Sequence, residues 1–242
     1  MTTSSPHSLR SDMSLGDIVN MAPKLAARLE RLDLDYCCGG ATTLADACQA
    51  NDLDPESVIV ELEAHLGTDD TPAPWVSMGA VELVDHLVGT HHRYLWDELP
   101  RLQALVEKVN GVHGERHREL ADIAACFAAI RADVEPHLEK EERILFPAIG
   151  ELFTAADTPT FGFGSMGNPI SMMLREHDDL GELLRRLRAL TTDYTPPADG
   201  CASYSALFSG LEELEADTHL HVHKENNLLF PQVLEREQQR VS

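Results

Sequence analysis

Apolar positions recur at three- and four-residue spacing along most of the chain, and no segment alternates with period two over a useful length. Ser14, followed three residues later by Asp17, reads as a helix N-cap, and Leu15, Ile18, Val19, Ala22, Leu25, Ala26 and Leu29 then line one face. That pattern stops before Asp33. A short helix is expected over Leu44 to Asn51. A third runs to about Leu66, led by Asp54 as N-cap and Pro55 at the first helical position. Four long amphipathic stretches follow, about Met78 to Asn110, His117 to Gly150, Pro169 to Thr192 and Tyr204 to Gln239. The expected fold is all-α: a disordered lead over residues 1–13, a small helical unit over 14–66, a linker over 67–77 and an antiparallel four-helix bundle over 78–238. The connection from Gly150 to Pro169 is long for a bundle, and such loops are often functional.

Composition narrows the chemistry. Lys plus Arg number 19 and Asp plus Glu 41, so the net charge is 19 − 41 = −22, which repels phosphate. Nucleic acid and anionic membrane surfaces are therefore poor partners. There is no run of eighteen apolar residues to span a membrane, and the first dozen residues lack the apolar stretch of a secretory signal. Five cysteines, an odd and sparse set, speak for a reducing cytoplasm rather than a disulfide scaffold. The unusual feature is histidine: eleven of the twelve lie at or beyond residue 65, in clusters.

Those clusters repeat. PHLEKEERILFPAI in the second bundle helix aligns with LHVHKENNLLFPQV in the fourth, matching His137 with His221, Glu141 with Glu225, Phe146 with Phe230 and Pro147 with Pro231. His92 lies 45 residues before His137, and His177 lies 44 before His221. The bundle thus reads as two copies of a helix pair, each giving one histidine from its first helix and His-x-x-x-Glu from its second. Residues four apart sit only about 40° from a common face, so each imidazole and carboxylate can point inward together. A lone histidine on an apolar face is usually a satisfied core residue, and a single His-x-x-x-Glu is common on exposed helices. Four imidazoles and two carboxylates are too polar for a bare core, because each would cost several kcal/mol if buried uncompensated. Two cations bridged by the glutamates, with two histidines each, remove that cost. Iron suits such mixed ligands, with manganese and zinc as alternatives.

Ligand charge adds a further expectation. Ferritin-type di-iron bundles use four glutamates and two histidines. Here two divalent ions and two carboxylates leave a charge of +2, so the ions should be easier to release. His91, beside His92, lies about as well on the apolar stripe. His91, His219, His223 and His86 are expected in the surroundings of the site or in solvent. Glu176, beside His177, is a candidate acid next to a ligand and near an exit path. The Phe-Pro pairs are expected to pack, with each proline ending or bending its helix.

Cys37-Cys38-Gly39-Gly40 lies at a break between helices. Adjacent cysteines lack the spacing of a zinc knuckle. The glycines permit positive φ and close approach by a ligand. A helix beginning near Thr43 would lower the thiol pKa. An inert buried turn is the alternative. Cys48, Cys126 and Cys201 read as structural or incidental.

DYCCGG (35–40), HLEKEERILFP, GNPISMMLREHDDLGELL (167–184) and HKENNLLFP together resemble the iron–sulfur cluster repair di-iron proteins, the repair-of-iron-centres family of ScdA/YtfE type. These join a ScdA-like N-terminal domain to a hemerythrin-like four-helix domain, and the resemblance covers about Ser14 to Arg236. It implies two iron ions in an oxo- and carboxylate-bridged centre held by His92, His137, Glu141, His177, His221 and Glu225. It favours His92 over His91, since the ligand follows an Asp-His pair, here Asp85-His86, by six residues. It implies a redox or iron-relay role for Cys37 and Cys38. The implied function is cytoplasmic repair of iron–sulfur clusters damaged by nitrosative or oxidative stress, by iron donation. Damaged iron–sulfur proteins would be the partners, NO or O₂ the small ligands, and a homodimer stays open. The rivals are a di-iron nitric oxide reductase, a hemerythrin-like O₂ or NO sensor or iron store, and a metal-free structural bundle.

Overall fold

A computed structural model describes residues 8–67 and 71–241. Helices dominate, and the only extended pairings among the described residues are two isolated bridges, Ser14 with Thr43 and Phe161 with Gly164. The N-terminal unit holds α1 (Leu15–Met21), α2 (Ala26–Arg31), α3 (Leu44–Ala50) and α4 (Pro55–Glu63). Three starts are set by side chains: Ser14 Oγ accepts from Asp17 N–H, Thr43 Oγ1 from Asp46 N–H and Asp54 Oδ2 from Ser57 N–H, each at 3.1 Å. The first helical pattern is not one helix. Pro23 cannot donate a backbone hydrogen bond, and a 3₁₀ turn over Pro23–Leu25 separates α1 from α2. The third helix ends at Glu63, three residues short of the expected Leu66.

The lead expected to be disordered is ordered from Ser8; residues 1–7 lie outside the described residues. Leu9 is buried and donates its N–H to Glu63 Oε1 at 3.0 Å. The N–H groups of Leu44 and Ala45 bond the carbonyls of Met13 and Ser11. The segment 67–77 is likewise tied down where it is described. Ala73 is buried and donates to the Asn20 carbonyl, and Pro74–Ser77 forms a 3₁₀ turn.

Four long rods make the bundle: α5 (80–113), α6 (119–154), α7 (Gly167–Leu190) and α8 (202–241). Neighbours in sequence pack together and α8 closes against α5, an up-down ring. Two apolar layers fill it. One contains Leu95, Leu102, Phe127, Leu184 and Leu211; the other contains Leu83, Leu145, Met173, Leu229 and Phe230. A belt of buried polar side chains lies between them. A third core belongs to the N-terminal unit and takes in Val222 and Leu220 from α8, so that unit is seated on α8.

Three rods contain one π-helical turn each, at Val88–His92, Glu141–Leu145 and Glu225–Leu229. There the N–H groups of Arg93, Phe146 and Phe230 reach back five residues, to Val88, Glu141 and Glu225. Such turns widen a helix by one residue and cluster at functional sites. Pro147 and Pro231 follow immediately, and neither ends its helix: α6 continues to Thr154 and α8 to residue 241. The π register already interrupts the regular ladder, so the missing proline N–H is tolerated.

Candidate metal centre

The polar belt brings six of the predicted side chains together as two overlapping groups. One is His92, Glu141, His221 and Glu225; the other is His137, Glu141, His177 and Glu225. All are buried, and the donor atoms of each group lie within 4.8 Å of one another. His92 Nε2 and His221 Nε2 are 3.2 Å apart, as are His137 Nε2 and His177 Nε2. Glu225 gives one oxygen to each group: Oε1 is 3.0 Å from His221 Nε2, and Oε2 is 3.1 Å from His177 Nε2. Glu141 Oε2 lies 3.4 Å from His92 Nε2 and 3.3 Å from His137 Nε2.

Two observations test whether a cation fits. Both oxygens of Glu141 and Oε2 of Glu225 are buried without a well-formed hydrogen bond, which native interiors seldom tolerate. All four imidazoles aim Nε2 at the same space. Metal-binding histidines usually anchor the other nitrogen on an acceptor, and three do so here. His92 Nδ1 faces Glu142 Oε1 at 3.0 Å, His137 Nδ1 faces Glu176 Oε2 at 2.9 Å, and His177 Nδ1 faces Asn226 Oδ1 at 2.8 Å. The residues fit bound metal cations.

Electrostatics point the same way. Burial opposes charge on His137, but Glu141, Glu176 and Glu225 outweigh it and hold the ring pKa up at about 10. Burial likewise opposes ionised Glu225, yet His221 and His177 keep it well below the usual carboxylate range. The hydrogen bond from His137, then Lys140, pulls Glu176 down to about 2.

The phenyl rings of the Phe-Pro pairs cover the imidazoles. Phe146 packs on His92 with centroids 5.3 Å apart, and Phe230 stacks on His177 at 6.1 Å and 4°. His91 lies face to face with His221 at 5.4 Å and 9°. Its nitrogens are engaged elsewhere, Nδ1 with Asp217 at 2.8 Å and Nε2 with Lys224 Nζ at 2.6 Å. His86 also meets Lys224, whose ammonium sits 4.1 Å above the Trp75 ring.

His219 and His223 serve another purpose than surrounding the centre. His223 bonds the Tyr36 carbonyl and Asn20 Oδ1, and His219 bonds Glu30 at 3.0 Å. Both pin the N-terminal unit to α8. Asn226 and Asn227 do so as well, through the Cys37 carbonyl at 3.3 and 3.0 Å. Asn226 therefore joins the cysteine loop to His177 through one amide.

The loop differs from expectation in two respects. Gly39 and Gly40 do not have positive φ. Gly40 instead admits α8, since a Cβ there would come within 2.4 Å of Asn227 Oδ1. The Cys37 thiol is not lowered. The contact with Cys38 at 3.9 Å, burial and the Asp35 carboxylate at 3.2 Å push it well above the ordinary thiol value. Asp35, Cys37 and Cys38 form a third group of clustered donor atoms, at the edge of a cleft of about 830 Å³ that Asp178 and Asp179 also line. A smaller cavity of about 270 Å³ reaches His137 past Lys140 and Glu176 and shares Asp179 with the cleft.

Glu142, Lys224 and Asn226 were not singled out by sequence. Two of them directly follow a glutamate of the belt, a position a π turn keeps near the site.

A family model described as hemerythrin HHE cation binding domain matches residues 83–233, and one described as a domain of unknown function (DUF542), the ScdA N-terminal domain, matches 11–66. The iron–sulfur cluster repair protein YtfE of Enterobacter sp. (strain 638) is 35% identical over 224 residues, 92% of this chain and 97% of that protein. Proteins of the same name from Citrobacter koseri and Escherichia coli (strain K12 / DH10B) are 34% identical with the same coverage. The chain belongs to this family of YtfE iron–sulfur cluster repair proteins. Its bundle is a hemerythrin-type cation binding domain, and its N-terminal unit is the ScdA type. No helix among the described residues is long and apolar enough to cross a membrane.

Proposed function

We propose that this chain repairs iron–sulfur clusters damaged by nitrosative or oxidative stress, in the cytoplasm, by donating iron from a two-iron site. His92 and His221 would hold one ion and His137 and His177 the other, with Glu141 and Glu225 shared by both groups. The observation that carries the reading is Glu225, which turns one carboxylate oxygen toward each histidine pair. Bound ferrous ions would supply transferable iron and coordination positions open to NO or O₂.

The chain's own groups support release. Only two carboxylates face two cations, so the ligand charge leaves +2 uncompensated. Glu176 is partly exposed, holds the His137 Nδ1 proton and lines the cavity that reaches this pocket. Asp179 continues that wall to the acidic cleft bearing Cys37 and Cys38. Cations are drawn along such a path. Cys37 and Cys38 receive or relay the metal, and damaged iron–sulfur proteins are the recipients.

Elemental analysis of the isolated protein is expected to give two irons per chain; one zinc, or no metal, overturns the assignment. Anaerobic incubation of the diferrous protein with an apo-cluster protein is expected to transfer iron. Stoichiometric N₂O from NO without iron transfer would instead make the chain a nitric oxide reductase.

A further inference from the structure

A second cluster of titratable groups lies where α5 ends and α8 begins, about 30 Å along the helix axis from His92 and His221. Cys201 is the N-cap of the 23-residue Ala202–Lys224 segment, and it is exposed. His113, at the end of α5, places Nε2 at 3.2 Å from Cys201 Sγ. This imidazole is only 5% exposed, and its Nδ1 has no partner. The thiol is its one hydrogen-bonding contact among the described residues. The ring is fixed edge-on by Tyr204 at 5.5 Å and His117 at 6.2 Å. His117 is in turn held by Glu119 Oε1 at 2.9 Å and Asp199 Oδ1 at 3.1 Å, and Arg116 lies 3.7 Å from Asp199.

We infer that Cys201 is a reactive thiolate and a site of modification by low-molecular-weight disulfides. A helix N-terminus and an adjacent imidazole both favour the anionic sulfur. The other cysteines lack this setting. Cys37, Cys48 and Cys126 are buried, and burial raises the latter two, with Cys126 turned to the Leu183 carbonyl. By contrast, the hydrogen bond with His113, then the Tyr204 backbone N–H, brings Cys201 down to about 7. Asp199 and Glu119 face the cluster through His117. In the exchange, Cys201 sulfur attacks one sulfur of the incoming disulfide. A new S–S bond forms as the old one breaks, and the second half leaves as thiolate and takes a proton from water. No other thiol touches Cys201, so the product is a mixed disulfide or a Cys201–Cys201 link between two copies.

The test uses the full chain as isolated, treated with glutathione disulfide from pH 5 to 9, with peptide mass spectrometry to locate and time the adduct. Cys201 is expected to react first, with a midpoint near pH 7. His113→Gln is expected to move the midpoint toward the ordinary thiol value of about 8.5 and slow exchange at pH 6.5 about fivefold, since part of the lost thiolate is offset by greater nucleophilicity. Cys201→Ser is expected to abolish the adduct. A wild-type midpoint near 8.5 overturns the inference, as does first reaction at Cys38; both can be read even if His113→Gln fails to fold.

Discussion

The pocket of His92 and His221 and the pocket of His137 and His177 share both carboxylates and have the same ligand types, but different surroundings. Around the first lie Glu142, partly exposed on His92 Nδ1, and a mixed array in which His91 stacks on His221 and is bonded by Asp217, with Lys224 between His91 and His86 and Trp75 beneath the ammonium. Beside the second lie Glu176, partly exposed, the amide of Asn226 and a cavity leading outward. Copying a helix pair reproduces the atoms that touch a cation. It does not reproduce what lies behind them: Lys224 and Asp217 behind the first, Lys140 and a cavity beside the second.

The largest effect should come from the shared groups. Glu141→Ala or Glu225→Ala is expected to remove both ions, read as metal content with helical circular dichroism preserved; loss of only one ion would break the shared-bridge reading. Next comes a single-pocket lesion. His137→Ala should empty its own pocket and leave the His92 pocket able to bind one ion, while His221→Ala should do the reverse. Equal loss from both pockets in both variants would erase the distinction drawn above. Smaller again is Glu176→Gln, which replaces the charged acceptor for His137 Nδ1 with a neutral amide. It should weaken the second pocket about 10- to 100-fold, the usual range for such partners, with the first unchanged in an anaerobic ferrous titration.

The smallest effect concerns how the N-terminal unit is held over the second pocket. Glu30 is bonded by His219 and Tyr36. Burial alone would raise its pKa, but those partners and Arg188 lower it. A depressed carboxyl stabilises the fold above its ordinary value of 4.5, and the contribution fades as pH falls through the lowered folded value. Glu30→Gln should cost about 1 kcal/mol and flatten that acid limb, measured by urea denaturation from pH 6 to 3.

Much of this was legible because helical periodicity is strong and the ligand motif occurs twice. His137, Glu141, His221 and Glu225 were found from four aligned matches, and His92 and His177 from near-equal offsets. The π turns were not legible, since one extra residue in a turn leaves no mark on an apolar pattern. They explain why His91 and His92 both fit the stripe. Adjacent residues of a regular helix point about 100° apart, yet both are buried in the widened turn. His219 and His223 were misjudged because their partners, Glu30, Tyr36 and Asn20, sit nearly 200 residues away on another unit. Cys201 was passed over for the same reason: His113 is 88 residues upstream.

The widened turns also bear on design. Anyone transplanting this ligand set onto an idealised scaffold of straight rods would find the side chains out of phase, because three of the four rods carry one residue more than a regular repeat accommodates. A faithful graft has to import the surplus residue and, on α6 and α8, the proline that trails it. The extra count, as much as the histidines, is the part to copy.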